Sequence, residues 1–65
     1  MTKGPSHDLV NHATGVEQQI IEVVRRLQAA EQEDDPRRIS ALASELDTLQ
    51  AELAATVEAM TRRAA

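Results

Sequence analysis

The sequence predicts an all-α fold: an antiparallel two-helix hairpin, helical and coiled-coil-like, completed to a four-helix bundle by dimerisation or by a partner. Three observations carry that expectation. Apolar residues recur in two stripes with alternating steps of four and three. Leu9, Ala13, Val16, Ile20, Val23, Leu27 and Ala30 form one, and Ile39, Leu42, Leu46, Leu49, Leu53, Thr56 and Met60 the other. The stripes are also mirror images about Asp34. Folding the chain there matches Ala30 with Ile39, Leu27 with Leu42, Val23 with Leu46, Ile20 with Leu49, Val16 with Leu53, Ala13 with Thr56 and Leu9 with Met60. Each match sets a heptad a position against a d position, as an antiparallel helix pair requires. Finally, Asp35-Pro36 stands between the stripes. The residue before a proline is pushed out of the α region, and proline suits the first turn of a new helix because its missing N–H is not needed there.

Taken in order, residues 1–6 read as a flexible N-terminal leader, with Gly4-Pro5 breaking any helix. A single helical hairpin is expected over 7–63, with helix 1 over about 7–33, the turn at about 34–35 and helix 2 over about 36–63. Residues 64–65 form a C-terminal tail. Ser6 is the candidate N-cap of helix 1, and Asp8 in the first turn favours the helix dipole. Thr14-Gly15-Val16-Glu17 matches a capping box and offers a competing start. The unbroken stripe from Leu9 to Val16 argues instead for one continuous helix, frayed or bent near Gly15, where glycine costs roughly 1 kcal/mol. Helix 2 is built from Ala, Leu, Glu and Gln, all strong helix formers. Glu22–Arg26 and Glu58–Arg62 have the favourable acidic-first order of an intrahelical pair. Arg62 and Arg63 suit a helix C-terminus, whereas Arg37 and Arg38 sit at an N-terminus that disfavours cations, offset by Asp34 and Asp35.

Sixty-five residues allow one domain at most, near the lower size limit for folding alone. Aromatic residues are absent, so no ring can anchor a core or stack on a base. Cysteine is absent too, which removes disulfides and thiolate metal sites and fits a reducing compartment. A formal net charge of −4 argues against a nucleic-acid binder, although the Arg25–Arg26, Arg37–Arg38 and Arg62–Arg63 pairs keep a small dimeric nucleic-acid-associated or regulatory factor as the alternative function. No apolar run reaches the roughly 18–20 residues of a membrane span. No signal-peptide core stands at the N-terminus, and the acidic surface disfavours anionic lipid. A cytoplasmic protein without membrane or small-molecule partners is expected.

A lone hairpin leaves one flank of each stripe wet. Helix 1 carries Val10, Ile21 and Val24 beside its stripe, and helix 2 carries Ala43, Ala54 and Val57 on the corresponding flank. A face this wide suits a four-helix bundle better than a two-stranded seam. Val57 is expected to share the layer of Thr56, the weakest member of the mirror. The candidate interface is therefore Val10, Ile21, Val24, Ala54 and Val57. The expected hairpin core is Leu9, Val16, Ile20, Val23, Leu27, Ile39, Leu42, Leu46, Leu49, Leu53 and Met60.

Chemistry-bearing constellations are missing from the sequence. His7 and His12, five residues apart, project away from each other on a helix. Asp8 and His12 share a face and offer at most weak metal binding across a dimer. Glu45, Asp47, Glu52 and Glu58 spread around helix 2 rather than forming the inward Glu and Glu-x-x-His set of a di-iron bundle. No catalytic residue, cofactor or metal site is assigned, and no enzyme activity is expected. Two resemblances bear on partners. Ser44-Glu45-Leu46-Asp47-Thr48-Leu49-Gln50-Ala51-Glu52-Leu53 resembles the Glu-Leu-Asp-x-Leu-x-x-x-Leu runs of docking and dimerisation helices in modular polyketide synthases. The layout of the whole chain is similar to the small co-chaperones of type III secretion needles, without shared motif residues. Both imply helix docking. The expected function is a non-catalytic protein–protein interaction module (a helical adaptor, assembly factor, co-chaperone or inhibitor) acting as a homodimer or with a helical partner.

Overall fold

The computed structural model describes residues 5–64, with side chains described from Asp8 to Arg63. Two helices, α1 (Pro5–Gln32) and α2 (Pro36–Ala64), pack side by side in an antiparallel hairpin. α1 is continuous through Gly15, with no break at the competing Thr14 start. Thr14 does not cap there; its Oγ1 donates to the Val10 carbonyl one turn back, at 3.0 Å. The N-terminal boundary differs from the sequence reading. Pro5 opens α1, so Ser6, the candidate cap, lies inside the helix. Proline at a first helical position brings a preset φ and loses no hydrogen bond, so Pro5 starts a helix there rather than breaking one. At the other end Glu33 belongs to the turn, and α2 runs one residue further than expected, to Ala64.

The turn closes with a Schellman arrangement. The Asp35 N–H donates to the Ala30 carbonyl at 3.1 Å and the Asp34 N–H to the Glu31 carbonyl at 3.2 Å. Asp34 takes the left-handed position with φ of 60°, one that glycine usually fills. Asp35 then caps α2: its Oδ1 accepts the Arg38 N–H at 3.3 Å, and its carbonyl accepts the first intrahelical bond, from Ile39, at 3.0 Å.

The seam between the helices is lopsided. In heptad letters, Leu9, Val16, Val23 and Ala30 occupy d in α1, and Leu42, Leu49 and Thr56 occupy d in α2. Six of these seven are buried, and only Leu9, near the open end, is half-buried. The a positions Ile20, Leu27, Ile39, Leu46, Leu53 and Met60 are all half-buried, and only the small Ala13 is covered. The five layers from Ala30–Ile39 to Val16–Leu53 thus each join one covered side chain to one that is still partly wet, while Ala13 and Thr56 are both covered. Among the described residues no large side chain is fully enclosed, and Ala30 reaches 0% exposure. Thr56 occupies its own layer at 7% exposure, while Val57 is 46% exposed. Val57 therefore does not share the layer of Thr56, because the d position and not the more apolar neighbour points into the seam. The buried hydroxyl is satisfied by donating to the Glu52 carbonyl at 2.9 Å.

Candidate functional site

Around a heptad, a lies beside e and d lies beside g. In an antiparallel pair the two e rows share one broad face and the two g rows share the other. The lopsided seam therefore has a chemical meaning. Its d edge is roofed by polar g-row side chains: His12 Nε2 lies 2.8 Å from Glu52 Oε2 across the helices, and Arg38 Nη1 lies 3.5 Å from Glu33 Oε1 beside the turn. The a edge opens onto the e and b positions. There Val10, Val24, Ala43 and Val57 sit at e, and Ile21 and Ala54 at b. Half-buried Ile20, Leu27, Leu46 and Leu53 extend this surface inward to the seam.

The five candidate interface residues consequently fall on one face. Ile21 is 50% exposed, Val10 49% and Val57 46%. Ala54 is exposed, and Val24 is half-buried against the seam. A shallow groove of about 420 Å³ runs between the helices here, lined by Glu17, Gln18, Ile20, Ile21 and Leu53. Sequence reasoning identified the flank residues but missed Ile20, Leu27, Leu46 and Leu53 as part of the surface, placing them in the core alone. The heptad pattern treats a and d alike, so nothing in the sequence says which edge of the seam stays open.

Charge separates the two faces. Arg25, Arg26, Arg37, Arg38 and Arg62 occupy f, g and c positions, away from the open face. Arg26 and Arg62 engage Glu22 and Glu58 one turn back, at 3.3 and 3.5 Å. Among the described residues, the charges on the open face are the carboxylates Glu17, Glu31 and Asp47. The opposite face holds a groove of about 500 Å³ lined by Asn11, His12, Gly15, Val16, Gln19 and Glu52. His12 there is engaged with Glu52, not with Asp8 as a metal pair would need. His7 lies outside the residues whose side chains are described. Among the described residues, no cluster of three or more His, Cys, Asp or Glu side chains could hold a metal ion. Among the described residues, no helix is long and apolar enough to cross a membrane either.

This arrangement can bury apolar area against another surface. Comparison with protein-family models, curated proteins and solved structures finds no match, so the resemblances of Ser44–Leu53 and of the chain layout rest on pattern alone.

Proposed function

We propose that this protein is a non-catalytic interaction module whose open face docks helices of another surface, assembling, capping or inhibiting what it binds. The observation that carries the reading is the asymmetry of the seam. One edge is bridged by the His12–Glu52 hydrogen bond between the helices and the Arg38–Glu33 ion pair beside the turn, and the other is left as half-buried Ile20, Leu27, Leu46 and Leu53 flanked by exposed Val10, Ile21 and Val57. A contiguous apolar face of this kind marks an interaction site. Its anchors repeat at the i, i+3, i+4 spacing through which helices recognise one another. The valine and isoleucine side chains would be the energetic centre, Ala54 would allow close approach, and Glu17, Glu31 and Asp47 would select orientation from the rim.

Photo-crosslinking tests this in the producing cell. A photoreactive residue at Ile21 should form discrete protein adducts, whereas the same residue at exposed Arg25, on the outer surface of α1, should form none. Ile21→Asp and Val24→Asp should each abolish adducts formed from a probe at Val57. Equal yields from Ile21 and Arg25, or none from Ile21, would show that the face is not an interface.

A further inference from the structure

We infer that the occupant of the open face is a second copy of this chain, related by a two-fold axis along the hairpin, so that α1 of each copy lies on α2 of the other. The inference rests on the docking reading above and commits it to a partner.

Size is the first argument. The hairpin measures 50 × 21 × 11 Å, a slab one helix thick. It exposes 4957 Å², whereas a compact monomer of its 7.1 kDa would expose about 4,100 Å². The difference is close to the roughly 800 Å² that each partner contributes to a standard interface, and one broad face supplies that much.

The second argument is self-complementarity. Along the hairpin, the half-buried a residues of α1 and α2 alternate rather than stand level, because each a faces a d of its own partner helix. Turning a second copy about the long axis drops Ile20 between Leu46 and Leu53 of the second copy, and Leu27 between its Ile39 and Leu46. Those are knobs entering holes. The same operation sets Val24 beside Ala43 of the second copy, large against small, and Val10 beside its Val57.

Charge selects this axis. Glu17 meets Gln50 of the second copy, and Glu31 comes to the N-terminus of its α2, where an anion is favoured. A two-fold running across the hairpins would set Val10 and Val57 against the polar tip segment around Gln28 and Ser40. Sliding the copies to avoid that mismatch would bring the two Glu17 carboxylates together.

The full chain lacks cysteine, so one label site can be introduced cleanly. Light scattering over a dilution series into the micromolar range should give twice the 7.1 kDa chain mass. Val57→Asp should weaken the dimer roughly 100-fold or more, since it buries two carboxylates in an apolar contact, and Ile21→Asp should weaken it likewise by setting two new carboxylates level with Asp47 of the other copy. Ser44→Asp, on the outer surface of α2, should leave it unchanged. Spin labels on Arg37→Cys should lie roughly 20–30 Å apart, at the same end of a two-layer bundle. A separation near the 50 Å length of the hairpin would overturn the arrangement. A folded monomer throughout the series would overturn the second copy as occupant while leaving the docking reading to its own crosslinking test. A dimer indifferent to both Asp variants would overturn the two together.

Discussion

Asp34 holds φ of 60° at the position that ends α1, and that single dihedral reverses the chain. A left-handed backbone costs most L-residues about 1–2 kcal/mol, less for aspartate, whose short side chain bonds locally. Asp34→Gly should therefore keep or raise the melting temperature, while Asp34→Val should destabilise by about 1–2 kcal/mol in a denaturant titration. Asp35 makes the neighbouring contribution by accepting the Arg38 N–H, and Asp35→Ala should cost about 1 kcal/mol. Thr56 is the third residue where local chemistry departs from the general pattern. It fills a core layer with a hydroxyl that can only return to its own helix, a bond that does little for a ladder carbonyl already engaged. Thr56→Val should raise stability by about 0.5–1 kcal/mol, read as an increase in melting temperature. The sequence marked Thr56 as the weak layer and set Val57 to share it. Residue type favours valine in a core; the d register overrides type and faces Val57 outward.

The two helices were legible because their stripes are regular, mirrored and separated by Asp35-Pro36, so periodicity and turn chemistry point to the same hairpin. What was not legible has two physical sources. Pro5 can open a helix as readily as glycine-proline can break one, and only the backbone decides which role it takes. Likewise, the a and d rows have equal standing in a heptad, yet a slight rotation of both helices buries Val16, Val23, Leu42 and Leu49 and leaves Ile20, Leu27, Leu46 and Leu53 half-covered. The open face is therefore a property of helix rotation rather than of composition. Gly15 belongs to the same scale. It lies inside α1, and a Cβ built there meets nothing within 4 Å, so Gly15→Ala should stabilise the helix by about 1 kcal/mol without changing association. A drop in stability, or a change in mass by light scattering, would mean that something approaches this position closely.

At the scale of the whole molecule, a slab with no fully enclosed large side chain among the described residues draws its stability from very few layers. Leu49→Ala, in the middle of the seam, removes one of them and should cost about 2–5 kcal/mol, enough to unfold a hairpin of this size at ambient temperature by circular dichroism. The melting temperature of the wild-type chain should also rise with protein concentration, because association adds to the free energy of the folded state by mass action. A transition independent of concentration would place all of the stability within the single hairpin.

The Schellman closure at Asp34 also orders events in time. Contacts between the strips are nested around it, so once Ala30 reaches Ile39 every later pairing only lengthens an already closed loop, at a small entropic increment per step. Such a chain should zip from its bend outward on the microsecond timescale of low-contact-order folds. It should come apart in reverse, with amide exchange fastest around Leu9 and Met60 and slowest beside Ala30 and Leu42.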